Sequence, residues 1–156
     1  MRRRQADQRE LLADPKFSSR LVAKFINICM YEGKKTVAEG IVYGAFEILK
    51  QKTQEENGLK AFNKAIDNAR PRLEVKPRRV GGATYQVPVE VTLPRGQSLA
   101  MRWVRDFARA KKGKPMVNKL ADELLSAYKG EGAAIKKRDD THKMAESNRA
   151  FAHLRW

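Results

Sequence analysis

Apolar positions recur at three- and four-residue intervals along most of this chain, and in one stretch they alternate instead. Leu21, Phe25, Ile28 and Cys29 mark a first helix behind the N-cap candidates Ser18 and Ser19, and Gly33 is expected to stop it. Thr36 followed by Glu39 reads as a capping box opening a second helix, with Val37, Ile41, Ala45, Ile48 and Leu49 inward. Asn57 and Gly58 break the chain, and Leu59, Phe62, Ile66 and Ala69 then mark a third helix that ends before Pro71. Pro94 restarts a helix whose Leu99, Trp103 and Phe107 form an i, i+4, i+8 stripe, leaving Arg102, Arg105 and Arg109 on other faces. Met116, Leu120, Leu124 and Tyr128 mark a fifth helix ending near Gly130, and a sixth, polar segment from Ala133 to about Ala150 is expected to lie exposed or across a partner.

The alternating stretch is 73–91. Leu73 and Val75 lie on one arm, Val87, Val89 and Val91 on the other, with Val80-Gly81-Gly82-Ala83 at the tip. Proline cannot donate to a ladder, so Pro77 and Pro88 exclude a central strand and predict a free two-stranded ribbon. A ribbon of this kind is marginal in water by itself, so it calls for a partner. The fold class is therefore mainly α: a single-domain bundle of about six helices, with a two-stranded β-hairpin protruding between the third and fourth. Residues 1–17 show no sustained period and read as a basic arm, leaving 18–156 as the helical domain.

Charge narrows the partner. The chain has 156 residues, 42% of them hydrophobic, and its 33 Lys and Arg against 18 acids give a formal net charge of +15. Self-repulsion of that size points to a polyanionic partner, nucleic acid before membrane. Residues 1–35 hold nine basic and four acidic side chains, and residues 70–114 hold twelve and three, while the remainder is close to neutral. Two patches thus carry the surplus. The start is basic without an apolar run behind it, no segment approaches the length needed to span a bilayer, and the chain reads as cytoplasmic and unprocessed. Cys29 is the single cysteine and sits in an apolar stretch, as a buried small hydrophobe would.

Catalysis has little to work with. His142 and His153 have no metal-ligand partners at a useful spacing, Asp139 and Asp140 point about 100° apart on a helix, and no cofactor motif is present. Gly33-Lys34-Lys35-Thr36 resembles the end of a phosphate loop but lacks the preceding glycine and strand. It reads better as two ammonium groups placed ahead of a helix N-terminus, where backbone N–H groups also favour phosphate. Arg2, Arg3 and Arg4 can order on a phosphate track, and Lys76, Arg78 and Arg79 charge the rising arm of the ribbon. Phe46, Phe62, Trp103 and Phe107 are spaced as core, and Tyr85 stands as a candidate for base stacking. A helical DNA-binding regulator, with residues 98–110 in a major groove, is the alternative, although no helix-turn-helix pair precedes that segment.

The blocks Ser19-Arg20-Leu21-Val22-Ala23-Lys24-Phe25-Ile26-Asn27, Gly33-Lys34-Lys35 and Ile41-Val42-Tyr43-Gly44-Ala45 closely resemble the signature of the family of the seventh small-subunit ribosomal protein. Asp14-Pro15-Lys16-Phe17, Pro77-Arg78-Arg79-Val80-Gly81-Gly82, Arg95-Gly96-Gln97-Ser98-Leu99-Ala100 and Asn148-Arg149-Ala150-Phe151-Ala152-His153 resemble its bacterial and organellar branch. The resemblance implies a non-catalytic primary binder of small-subunit ribosomal RNA. Such a binder organises the three-prime major domain, the head, at the subunit interface near the decoding centre. It implies as neighbours exit-site transfer RNA, messenger RNA and the ninth and eleventh small-subunit proteins, with no membrane. Carried over by position, Arg2, Arg3, Arg4, Lys34, Lys35, Lys76, Arg78, Arg79, Arg95, Arg102, Lys111, Lys112 and Lys114 would face ribosomal RNA. The ribbon tip, Gly81, Gly82, Ala83, Thr84 and Tyr85, together with Lys143 of the last helix, would lie toward transfer RNA. The chain departs from the family pattern at Gly96, where a larger residue is common.

Overall fold

The structure is a computed structural model that describes residues 9–53, 55 and 57–154. Six α-helices follow in order: α1 (Arg20–Cys29), α2 (Lys35–Thr53), α3 (Gly58–Ala69), α4 (Leu93–Ala110), α5 (Met116–Lys129) and α6 (Ala133–Ser147). The antiparallel pair β1 (Leu73–Val80) and β2 (Ala83–Glu90) lies between α3 and α4, and a 3-10 helix, Arg149–Leu154, closes the described chain. α5 sits at the centre, packed against α2, α3, α4 and α6. The predicted architecture is the one observed.

Caps explain most boundaries. The Val22 N–H donates to Ser19 Oγ at 3.5 Å and the Leu59 N–H to Asn57 Oδ1 at 3.0 Å, so both predicted breaks act as N-caps. Pro94 stands in the first turn of α4, and Gly130 ends α5 at φ +81°. Two predicted boundaries differ. α1 ends at Cys29, with Met30 as its C-cap, so Gly33 serves the following turn and not the helix end. α2 begins at Lys35, which puts Thr36 inside the first turn; no capping box forms, and Glu39 instead lies 3.7 Å from Lys35.

The core is built on Phe62 with Phe25 and Phe46 on either hand, at ring-centroid distances of 5.0 and 4.9 Å from it. Each such buried ring stabilises by about 2–3 kcal/mol. Around them the predicted faces hold in α3 and α5, where Phe62, Ile66 and Ala69 and then Leu120 and Leu124 are buried, and run one residue away in α4 and in part of α2. α4 buries Ala100, Met101, Val104 and Ala108, while Trp103 and Phe107 are half-buried against the flank of the core. α2 buries Ala38, Val42, Ala45, Phe46 and Leu49, leaving Val37 exposed. Alanine explains the rotation: helices approach most closely along their small residues, and the large side chains fill in beside that line. At Gly58 the approach is closest, since a Cβ there would stand 2.5 Å from the Phe46 carbonyl oxygen.

Asp14 fixes the approach to α1. Its Oδ2 accepts from the N–H groups of Lys16 and Phe17, and its Oδ1 accepts the Tyr43 hydroxyl at 2.6 Å. Burial, reinforced by Asp14, pushes the Tyr43 phenol up to about 12. Phe17 then packs on Tyr43 and Phe46. Residues 14–17 are thus docked on α2.

The ribbon is free only in its outer half. Gly81 and Gly82, at φ +56° and +89°, make the two-residue turn that needs positive φ at both positions. Counting outward from the closing pair Val80 and Ala83, hydrogen-bonded and non-bonded pairs alternate, so Pro77 opposite Gln86 and Pro88 opposite Val75 both fall where the missing N–H would have faced away from the ladder. Leu73 and Val75 occupy one face of the ribbon, Val87 and Val89 the other, so the two apolar sets do not form a single sheet face. The root is held by the body instead: β1 packs on α6, β2 on the 3-10 helix, and Val87 is fully buried. α6, expected to lie exposed or across a partner, is exposed or half-buried over most of its length, and through Ala134, Ile135 and Ala145, which are buried, it packs on the body and braces the ribbon.

Candidate nucleic-acid interface

α4 carries Arg95, Arg102 and Arg109 at intervals of seven residues. Seven residues fall about 20° short of two full turns, so the three form one line, about 21 Å from first to last. All three are exposed. One end of the line lies at the ribbon root, the other at the α1–α2 turn, and the two basic patches of the sequence are joined through it.

At the ribbon root, Arg95 Nε donates to both oxygens of Glu74 at 2.8 and 3.0 Å, and Lys76 Nζ lies 3.1 Å from the same carboxylate. Burial raises the Glu74 carboxyl, but Arg95 and Lys76 outweigh it and hold the group below its ordinary range. Arg95 and Lys76 therefore anchor the ribbon as well as charge it. Further out, Arg78 and Arg79 are exposed and form no ion pair with another described residue. Successive strand residues point to opposite faces, so the ribbon presents one guanidinium on each side. Tyr85, the stacking candidate, is half-buried with its ring 5.3 Å from that of Phe151. Gly81, Gly82, Ala83 and Thr84 are exposed at the tip, and Lys143 is exposed on α6.

At the other end the turn after α1 is tight. The Lys34 N–H donates to the Tyr31 carbonyl at 3.0 Å, with Glu32 at φ +51° and Gly33 at +73° between them, which sets Tyr31 and Lys34 side by side. Arg105 Nη1 donates to the Ile28 carbonyl at 3.2 Å and Arg109 Nη2 to that of Cys29 at 3.1 Å. These are the last carbonyls of α1, where cations also suit the negative end of the helix dipole. Arg105 and Arg109 thus tie α1 to α4, a role that spacing within α4 could not reveal. Beside them Cys29 is half-buried, and burial pushes its thiol up to about 12 against the opposing pull of Arg109 and Arg105. It is an inert packing residue.

The loop after α4 behaves differently from a bare run of lysines. Lys111 Nζ lies 2.7 Å from Glu123, whose side chain is 2% exposed, and Glu123 also accepts the Ala134 N–H at 3.1 Å in the first turn of α6. Lys114 and Lys52 converge on Asp122 at 3.1 and 3.3 Å; burial raises that carboxyl, and the two lysines outweigh it and lower it. Lys112 alone of the three lysines is without an ion pair among the described residues. Glu123 was invisible to periodicity, since a carboxylate in a helix normally faces water.

His142 has a structural task. Its Nε2 accepts the Arg72 N–H at 2.9 Å, joining α6 to the start of the ribbon, and this requires a neutral ring. Burial, then Arg138, lowers its affinity for a proton, with Asp139 opposing and Arg72 adding to the effect. Among the described residues no cluster could hold a metal ion, and no helix is long and apolar enough to cross a membrane. Arg2, Arg3 and Arg4 lie outside the described residues.

The family described as ribosomal protein S7p/S5e matches residues 1–149. The chain is 59% identical over 156 residues to the small ribosomal subunit protein uS7 of Thermotoga maritima and 60% identical over 156 residues to that of Pseudothermotoga lettingae, in each case across the full length of both chains. It is 57% identical over 155 residues to the protein of that name from Francisella philomiragia, covering 99% of each chain.

Proposed function

The chain belongs to the ribosomal protein S7p/S5e family, and on that premise we propose that it grips small-subunit ribosomal RNA along the cationic line of α4 and with the outer half of the ribbon. It is a structural, non-enzymatic protein of the small ribosomal subunit, and it works on the cytoplasmic ribosome. Membership sets aside the DNA-binding alternative.

The observation that carries the RNA reading is the line Arg95, Arg102 and Arg109, which connects two patches far apart in sequence into one surface long enough to follow a folded RNA backbone. Arg78 and Arg79, on opposite faces of the ribbon, suit insertion between two phosphate strands better than docking on a flat surface. Recognition then rests on the shape of an RNA junction, because the A-form major groove is too narrow for side chains to read. This is the behaviour of a primary binder that nucleates the head, the three-prime major domain. The same reading puts the protein at the subunit interface near the decoding centre, with the uncharged ribbon tip and Lys143 toward exit-site transfer RNA and messenger RNA. The ninth and eleventh small-subunit proteins are then its neighbours.

The test is the salt dependence of binding to a transcribed three-prime major domain. With six to ten phosphate contacts, affinity should fall by about 10³- to 10⁵-fold between about 50 and 200 mM salt. A nearly flat dependence would sink the electrostatic account.

A further inference from the structure

Beyond that surface, we propose that the turn between α1 and α2 holds a single unstacked nucleobase of the RNA, stacked on the ring of Tyr31. The proposal rests on the RNA-binding reading above and adds a base-contacting site to it. Tyr31 is 68% exposed, although a tyrosine ring is costly to leave in water, and the Arg109 guanidinium stands at its ring without burying it. The ring lines a cavity of about 160 Å³ together with the apolar Val37, Ala38, Ile41 and Met116 and the cations Lys34 and Arg109. That volume has room for one heterocycle and not for a whole nucleotide, so the sugar and phosphate must stay outside, at the rim.

Three independent features make the site fit a base. The turn is locked by the Lys34 N–H to Tyr31 carbonyl bond with two consecutive positive-φ residues inside it, so the ring is presented by a stiff backbone. The Arg109 guanidinium stands 6.0 Å from the ring centroid, within cation–π range, and is itself fixed by its bond to the Cys29 carbonyl. A base entering the cavity would meet a π-face and a held cation together, the combination used by single-strand binding surfaces. Finally, Lys34 and Lys35 flank the start of α2, where a phosphate outside the cavity would find both ammonium groups and the helix N-terminus. Glu32, 3.0 Å from Lys34, and Glu39, 3.7 Å from Lys35, are opposing charges; in both pairs the lysine is mostly exposed, so they contribute little. A protein or lipid occupant would not need two cations, Lys34 and Arg109, lining so small a cavity.

Affinity for the transcribed three-prime major domain, measured at several salt concentrations for the intact chain and for Tyr31→Ala, Tyr31→Leu and Tyr31→Phe, tests the proposal. Tyr31→Ala and Tyr31→Leu should weaken binding by about 5- to 150-fold, while Tyr31→Phe, which keeps the π-face, should stay within about threefold. The salt slope should be the same in all four, because no charge has changed. Circular dichroism should be unaltered, since the exposed ring supports no core contact. Tyr31→Leu binding as tightly as the parent, or Tyr31→Phe binding as weakly as Tyr31→Ala, overturns the stacking site. So does unchanged RNA affinity with poorer incorporation into small subunits, which would assign the ring to a protein neighbour. If the parent chain itself failed to bind this RNA, the broader RNA reading would fall instead, so the two failures are distinguishable.

Discussion

The loop at residues 111–114 and the arm at residues 76–79 look alike as text, each with three cations in four residues, yet they are differently employed. In the loop, Lys111 is drawn onto the buried Glu123 and Lys114 onto Asp122, so two of the three cations hold α4, α5 and α6 together. In the arm, only Lys76 at the root is drawn inward, onto Glu74, and the outer pair Arg78 and Arg79 stays in water on opposite faces. Each region has a buried carboxylate, Glu123 in one and Glu74 in the other, and what separates them is a second acid, Asp122, within reach of Lys114, where Arg78 and Arg79 pair with no described acid. Charge runs therefore report potential, and the reach of the nearest acid decides whether that potential stabilises the fold or faces a partner.

Removing Glu123 should break this contrast most severely. Glu123→Ala would strand the Ala134 N–H and leave Lys111 without its carboxylate, a loss of about 2–3 kcal/mol readable as a lower denaturant midpoint. A change of only a few tenths would mean that the loop lysine is as dispensable to the fold as the ribbon arginines. The reciprocal experiment compares RNA affinity and salt slope. Arg78→Ala with Arg79→Ala should weaken binding to the three-prime major domain by about 10- to 100-fold at 0.1 M salt and lower the slope by about two, with helicity unchanged. Lys111→Ala should instead act on stability and leave the slope nearly untouched; equal slopes for the two variants would mean that the loop and the arm meet RNA alike.

The smallest expected effect concerns how the ribbon is braced. His142 has its folded-state proton affinity below the ordinary value of 6.5, so its bond to the Arg72 N–H contributes above that pH and is lost as pH falls through the lower folded value. Melting temperature should fall between about pH 8 and about pH 5 in the parent chain and fall less in His142→Ala. Parallel curves for the two proteins would show that the histidine does not report on the α6 joint.

Most of the fold was legible from local pattern, because caps and breakers act over three or four residues. Ser19, Asn57, Pro94 and Gly130 all mark real helix ends. The inward residues Phe62, Ile66, Leu120 and Leu124 were legible too, but the buried face of α4 was read one position off, since weighting by large side chains favours Leu99, Trp103 and Phe107 over the alanines along which α4 approaches its neighbours. The candidate site was legible as two basic patches and a ribbon. Its connection was not: Arg95, Arg102 and Arg109 gain meaning as one line only when the ribbon root and the α1–α2 turn are seen at its two ends.

By itself, then, the order of residues determined the helices, the two-residue turn of the ribbon and the sign of the surface, all consequences of backbone preference and composition. Tertiary structure alone decided which cations are anchors and which are free, that Tyr85 rests against Phe151, and that Tyr31 stands uncovered beside Arg109. The reason is distance: a hydrogen bond, ion pair or ring contact joins residues as far as 80 positions apart in this chain, as with the bond from Arg109 to the Cys29 carbonyl, and no local pattern records which groups will meet.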